Sequence, residues 1–172
     1  MSLITNSGDD AILSACERYR YRLTRTFAPA KTPYVEKENL VAWLMFNPSE
    51  ADKSKNDPTI RKVIGFSKKW GFTFADVYNK FAGRTPHPSK LWKMDDPVGP
   101  DNYEYLKLIP YNVTLVAAWG GIRVPREFEE WCKTVKKMLS CRNVYCLGFT
   151  NGGEPRHPLM LPYSTPLQKW TV

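Results

Sequence analysis

Short apolar runs alternate with helix-like segments along the chain. Three runs of strand length are apolar almost throughout, at residues 40–46, 112–120 and 143–149. Such runs are typical of strands buried on both faces of a sheet. A further short strand is predicted at 74–82. Residues 17–27 alternate basic or polar with aromatic or apolar side chains, which predicts a strand with one wet, basic face.

Helical spacing appears between these strands. Apolar residues recur at helical intervals after Asp57, which suits an N-cap, and Pro58 suits the first helical position. Gly71 is a natural stop for this helix. A short helix is predicted from Asn102 onward, and residues 125–139 form an amphipathic helix pattern.

This alternation predicts an α/β fold of three layers, with a mostly parallel sheet of four to five strands and helices on both faces. The basic strand at 17–27 is expected at an edge of the sheet. We expect residues 1–172 to form a single α/β domain, in which residues 1–16 are a flexible or helical segment. In sheets of this kind, ligands bind beyond the carboxyl ends of the strands.

Polar residues, aromatic residues or glycine stand where the predicted strands end. They are Asn47, Asn79, Trp119 with Gly120, and Thr150. Because the carboxyl ends of parallel strands meet at one edge of a sheet, these residues are predicted to converge on a single crevice.

The first of these ends carries an amide, a proline and a hydroxyl in succession, Asn47-Pro48-Ser49. An asparagine offers both a donor and an acceptor, so it can hold a water molecule or read the edge of a base. Pro48 restricts the backbone, and the helix that follows directs its N-terminal amides toward the same crevice. The alternative is a capped turn, in which Asn47 bonds its own backbone. The charged residues between this turn and Asp57 are expected to form a solvated bridge.

The residues at two further strand ends, Asn79 and Trp119 with Gly120, each suit either a functional or a purely structural role. Asn79 suits recognition of a planar heterocycle by paired donor and acceptor bonds, or it is simply a turn residue. Trp119 is either part of the core or part of a site, and Gly120 permits a close approach of the backbone to a ligand or a tight turn.

The loop after the last strand, residues 153–162, contains one of the two histidines. His157 can donate a hydrogen bond to a developing anion, and the neighbouring Arg156 suits a phosphate. Leu159, Met160 and Leu161 form an apolar bump that can wedge into a base stack. The alternative is a rigid proline loop that covers the sheet with this bump in the core.

Composition and charge narrow the class of protein. With 25 Lys and Arg against 17 Asp and Glu, the chain has a net charge of +8, which favours a polyanionic partner such as nucleic acid or a nucleotide. A generally basic surface is the other explanation. No apolar run approaches the roughly 20 residues that span a bilayer, and the N-terminus is polar and acidic, unlike a signal peptide. A cytoplasmic protein with no membrane partner is expected.

Neither a metal nor another cofactor is expected. None of the four cysteines forms a C-x-x-C pair. The carboxylates of Glu50, Asp52 and Asp57 have a spacing that suits no familiar metal site, and no glycine-rich phosphate loop is present.

Several motifs together resemble the bacterial and phage family known as domain of unknown function 1643. They are "RYRLTRTF", "LMFNPSEAD", "NDPTIRKVIGFSKKWGF", "DVYNKFAGRTP", "DPVGPDN", "VAAWG" and "CLGFTNGGEPRHPLMLP", which extend from about residue 19 to Trp170. This resemblance implies no particular activity.

The order of the motifs is also similar, more distantly, to that of the uracil-DNA glycosylase superfamily. That resemblance implies that Asn47 positions the attacking water and that Asn79 reads the nucleobase. It implies that His157 stabilises the negative charge on the departing base, and that Leu159 or Met160 fills the gap left by a flipped nucleotide. Phe81 and Trp119 are then the candidates for stacking on the base.

The sequence is therefore compatible with two specific functions and, as a third hypothesis, with a scaffold that has a basic face. The first is metal-independent hydrolysis of an N-glycosidic bond to a base in DNA or in a nucleotide. The second is a non-catalytic module whose crevice binds nucleotides or modified DNA, for example a phage factor that counters host defence. Neither the base nor the oligomeric state follows from the sequence.

Overall fold

The structure is a computed structural model that describes residues 9–27 and 39–172. The expectation for the first eight residues lies outside the described residues. Where the flexible or helical N-terminal segment was expected, residues Asp10–Leu13 form a strand instead.

The described residues form an α/β protein with one mixed sheet. Its strands are β1 (Asp10–Leu13), β2 (Arg20–Thr26), β3 (Leu40–Met45), β4 (Phe74–Asn79), β5 (Thr114–Ala117), β6 (Val144–Cys146) and β7 (Gln168–Lys169). Its helices are α1 (Pro58–Lys69), α2 (Pro88–Leu91), α3 (Asn102–Lys107) and α4 (Glu129–Leu139).

The sheet has the order β1-β2-β4-β3-β5-β6-β7. The four central strands are parallel, whereas β1, β2 and β7 are antiparallel to their neighbours. The predicted sheet of four to five mostly parallel strands is therefore wrong in strand number and in the extent of parallel pairing. The added strands β1 and β7 have only 4 and 2 residues, which is too short to produce a recognisable periodicity.

The central strand β3 is buried on both faces, as its continuous apolar run predicted. Val41 and Trp43 pack in a cluster with Ile60 and Phe66 of α1. The alternate residues of β3 pack in a second cluster, which includes residues of α2, α3 and α4. Because successive side chains of a strand point to opposite faces, the two clusters lie on opposite sides of β3.

Helix α1 begins and ends as its sequence predicted. The side chain of Asp57 accepts a hydrogen bond from the backbone N–H of Ile60 at 2.8 Å, and Pro58 occupies the first turn. Gly71 follows the helix with a positive φ of 86°, which is accessible to glycine at little cost. The long loop before α3 contains α2, and the tail contains a 3-10 turn at Pro158–Met160 together with β7.

The basic strand was predicted at an edge, with one wet, basic face. The edge position is wrong, and the wet face is confirmed only in part: every second residue from Arg22 to Thr26 is half-buried, but two arginines of the strand are buried. β2 lies between β1 and β4. Arg20 is 2% exposed and Arg25 is 1% exposed. Burial lowers the pKa of Arg20 to about 10, against the opposing effect of the Asp57 carboxylate, so this side chain remains charged at neutral pH.

These two buried arginines bind the charged loop between β3 and α1. Arg20 donates to the carbonyl of Ala51 at 2.6 Å. Arg25 donates to the side chain of Asn56 at 2.6 Å and to the carbonyls of Asp52 and Lys55. The backbone of this loop is therefore hydrogen-bonded to β2, whereas the charged side chains of Glu50, Lys53 and Lys55 are exposed, as the expected solvated bridge requires.

We expect Arg25→Gln to destabilise the protein by about 2–4 kcal/mol, because it leaves partly buried loop carbonyls without a donor. Urea denaturation measures the change in the free energy of unfolding. Arg126→Gln is the control, because Arg126 is exposed on the turn before α4. A loss below 0.5 kcal/mol for Arg25→Gln, roughly the effect of an ordinary surface substitution, would contradict the role given to this side chain.

Candidate functional site

The carboxyl ends of the parallel strands β4, β3, β5 and β6 share one edge of the sheet. These strand ends and the segments that follow them contain every residue predicted for the site, from Asn47 after β3 to Met160 in the tail. The contacts at this edge determine what each of these residues can do.

The side chain of Asn47 is fixed by hydrogen bonds that its amide nitrogen donates. Nδ2 donates to the carbonyls of Pro48 and Thr85, each at 2.9 Å, and more weakly to that of Gly83 at 3.4 Å. The bond to Pro48 is the local one that the capped-turn interpretation expected, and the others join this turn to the segment after β4. Within the described chain Oδ1 has no donor, so a fixed acceptor is left for a water molecule or ligand.

Asn79 ends β4 and is 1% exposed. Its backbone carbonyl accepts from Nδ2 of Asn102 at 3.1 Å. The side-chain Nδ2 of Asn79 is itself buried and has no partner in the part of the chain that the structure describes. An unpaired buried donor is costly, so it calls for an explanation.

His157 lies beside Gly120. A Cβ added to Gly120 would be 3.2 Å from the Cβ of His157, and the φ of Gly120 is +77°. Any other residue would be strained at this φ, and its Cβ would crowd that of His157. Nδ1 of His157 accepts the backbone N–H of Leu159 at 3.3 Å, so the proton of the neutral ring is on Nε2. Burial lowers the pKa of His157, against the effect of Asp57 at the start of α1, which favours the neutral ring.

The loop of His157 is fastened to α1 and presents an apolar tip. Nζ of Lys62 donates to the carbonyl of Leu161 at 2.6 Å, and Leu161 is buried. Leu159 is half-buried, whereas Met160 is 88% exposed. Of the expected apolar bump, Leu161 therefore belongs to the core and Met160 stands in solvent.

Trp119 is 1% exposed and holds a carboxylate. Its Nε1 donates to Glu154 at 2.5 Å, and Nζ of Lys136 bonds the other oxygen of this carboxylate at 3.2 Å. Nζ of the buried Lys80 lies 4.8 Å from the centre of the Trp119 ring. Burial would raise the pKa of Glu154, but the hydrogen bonds from Trp119 and Lys136 outweigh it and hold the pKa below its ordinary value.

A cavity of about 630 Å³ opens beside this group. Trp119, Gly120 and Thr150 line it, as predicted site residues, while Asn47, Asn79 and His157 do not. The other lining residues are Lys80, Gly121, Ile122, Arg123, Val124, Glu129, Cys132, Lys133, Lys136, Asn151, Gly152 and Glu154.

The remaining predicted residues have mixed surroundings. Phe81 is fully buried against Phe46, Trp92 and Phe128, so a base could stack on it only if these rings moved apart. The other residues are Pro48, which is buried, Ser49, which is half-buried, and Arg156, which is exposed.

Sequence reasoning missed Lys80, Glu154 and Lys136. Lys80 directly follows the predicted base-reading Asn79, but only the structure shows that this lysine is buried. Glu154 lies in the same motif as His157, but its partner Trp119 is 35 residues away. Only the fold brings this indole and this carboxylate together.

The family model described as a protein of unknown function (DUF1643) matches residues 20–159. The chain belongs to this family. No curated protein and no solved structure matches the chain. Membership of the DUF1643 family therefore accounts for the joint pattern of motifs but assigns no reaction to them.

Over residues 9–27 and 39–172, no three His, Cys, Asp or Glu side chains are grouped so that they could hold a metal ion. In the same ranges, no helix is long and apolar enough to cross a membrane.

We expect Glu154→Gln to lower the stability of the protein at neutral pH, with a difference that shrinks in acid. A carboxyl with a lowered folded pKa stabilises the protein above its unfolded pKa, and this contribution is lost as the pH falls through the folded pKa. The stability gap should therefore begin to close below the ordinary value of 4.5.

Chemical denaturation at a series of pH values between neutral and acid measures this gap. Glu127→Gln, at an exposed position on the turn before α4, is the control for loss of one surface carboxylate. A gap for Glu154→Gln that is constant with pH would show that the bonds from Trp119 and Lys136 do not lower the pKa of this carboxyl.

Proposed function

We propose that this protein recognises a nucleobase in DNA or in a nucleotide and hydrolyses its N-glycosidic bond without a metal ion. In this proposal the sheet and its helices have the three-layer arrangement of the uracil-DNA glycosylase superfamily, and the protein acts in the cytoplasm of a bacterial cell or phage-infected host. The single observation that carries the proposal is the unpaired, buried Nδ2 of Asn79 at the carboxyl end of β4.

The two amides suit complementary tasks. Asn79 has a free donor in a buried setting, where a hydrogen bond to a base carbonyl discriminates strongly against a base that lacks it. Asn47 has its donor engaged and its acceptor free, which suits holding a water by one of its protons. The oxygen of that water would join the sugar carbon as the bond to the base breaks.

His157 suits stabilisation of the departing base. The base leaves with the bonding electron pair and carries negative charge until it gains a proton. A neutral ring with its proton on Nε2 can donate a hydrogen bond to that charge. The charge is then handled by a positioned donor, as in other preorganised sites, and no Lewis acid is needed.

The exposed side chain of Met160 suits contact with a duplex. It extends from a 3-10 turn that is followed by Leu161, which is buried in the core. The backbone that carries the flexible Met160 side chain is therefore fixed. Such a group can occupy the space of a nucleotide that has left the base stack. The net charge of +8 suits attraction to the phosphate backbone.

The enzyme is tested by incubating it with single- and double-stranded oligonucleotides that contain uracil or other altered thymines, followed by detection of abasic sites. We expect His157→Ala and Asn47→Ala each to reduce the rate by about 10²-fold or more, because each removes a positioned polar group from the transition state.

His87→Ala and Asn112→Ala are matched controls, since both positions are exposed and outside the predicted site. Both should retain the wild-type rate. If no substrate loses a base while a nucleotide raises the melting temperature, the protein is a binding module and the hydrolase proposal is wrong. Loss of base that continues unchanged in His157→Ala would also contradict it.

We expect Met160→Ser to reduce the rate on duplex DNA at least several-fold more than the rate on single-stranded DNA, because only the duplex leaves a gap to fill. Single-turnover rates on the two substrates measure the ratio. Leu108→Ser is the control, because Leu108 is also an exposed apolar residue, 54% exposed. Equal losses of rate on both substrates would contradict the proposed insertion of Met160 into the base stack of the duplex.

A further inference from the structure

The cavity beside Trp119 is separate from the three residues to which the reaction has been assigned. None of Asn47, Asn79 and His157 lines it. Gly120 lines the cavity and also packs against the Cβ of His157, so the Trp119-Gly120 backbone lies between the cavity and the histidine. The cavity volume of about 630 Å³ is within the range of small-molecule sites.

Positive charge predominates in the lining. Its charged residues are four bases, Lys80, Arg123, Lys133 and Lys136, and two acids, Glu129 and Glu154. The lining therefore has an excess of two positive charges. Where low-dielectric walls surround such a field, it attracts small anions.

The acids do not neutralise all of these bases. Glu154 is held by Trp119 and Lys136. The side chain of Arg123 makes no hydrogen bond or ion pair with any other described residue, and it is exposed at the cavity. Lys133 pairs with Glu130 at 2.6 Å on the surface, an arrangement that is easily exchanged for another anion. Arg123 and Lys133 are therefore both available to a ligand.

The rest of the wall is mostly apolar, with Thr150 and Asn151 as its polar side chains. Ile122 and Val124 flank Arg123 in the sequence and are partly buried against the core, as is Cys132 of α4. A ligand that satisfies both parts of the lining needs an anionic end for Arg123 and Lys133 and a less polar body for the surface beside it. A guanidinium favours a phosphate over a simple halide because it forms paired hydrogen bonds.

We propose that this cavity is a second binding site, which takes a free nucleoside monophosphate with its phosphate between Arg123 and Lys133. Glu154 is the fixed carboxylate of the site, available to accept a hydrogen bond from the sugar hydroxyls or the base. The site is independent of Asn47 and His157, so it can be occupied whether or not a glycosidic bond is cleaved elsewhere.

Isothermal titration calorimetry with the monophosphates of adenosine, guanosine, cytidine and uridine tests the site directly. We expect at least one to bind with a dissociation constant below about 1 mM. The matching nucleoside and inorganic phosphate should each bind at least about tenfold more weakly, because each reaches only one part of the lining. Absence of binding by all four monophosphates would overturn the proposal, as would equal binding of nucleoside and monophosphate.

Variants locate the bound phosphate. Arg123→Gln with Lys133→Gln should weaken binding of the monophosphate at least about tenfold and flatten its salt dependence. Arg126→Gln with Lys137→Gln removes the same charge from exposed positions outside the cavity and should leave the affinity unchanged. Equal effects of the two double variants would show a general attraction to a basic protein and overturn the site.

Asn47→Ala with His157→Ala separates this inference from the proposed function. The double variant should retain wild-type affinity for the monophosphate while it loses any release of base. Loss of monophosphate binding in this variant would show that the ligand occupies the reaction site, and the second site would then be wrong. If the monophosphate binds but neither the wild type nor any variant releases a base, the second site is supported and the proposed hydrolase activity is wrong.

Discussion

Two buried guanidinium groups on β2 support the segment that precedes α1. Arg20 and Arg25 donate to backbone carbonyls between Ala51 and Lys55, and Arg25 also bonds Asn56. Without these donors, partly buried carbonyls would be desolvated and unpaired. The arginines therefore hold in place the loop that joins Asn47, at the tip of β3, to Asp57, the N-cap of α1.

The carboxyl edge of the sheet is divided by the Trp119-Gly120 backbone. On one side, Gly120 is in contact with His157, whose loop is bonded to α1. On the other side, Trp119, Glu154 and Lys136 form a hydrogen-bonded wall of the basic cavity. The two sides differ in chemistry, since one has neutral polar groups and the other an excess of positive charge.

The sequence predicted the role of a site residue only where its hydrogen-bond partners lie close to it along the chain. Asn47 was identified because it follows an apolar run directly, and its bond to Pro48 is local. The engagement of its amide with Thr85, 38 residues away, was not predictable. Glu154 carried no local signal, because its fixed and ionised state depends on an indole and an ammonium from two other elements.

The sequence by itself determined the α/β class, the buried character of β3, and the start and stop of α1. These features follow from local periodicity and from caps whose partners are within a few residues. The tertiary structure decided that the basic strand is internal and that Arg20 and Arg25 are buried. Alternation of polar and apolar residues indicates only that two faces differ, and the carbonyls that satisfy Arg20 and Arg25 come from a loop about 30 residues away.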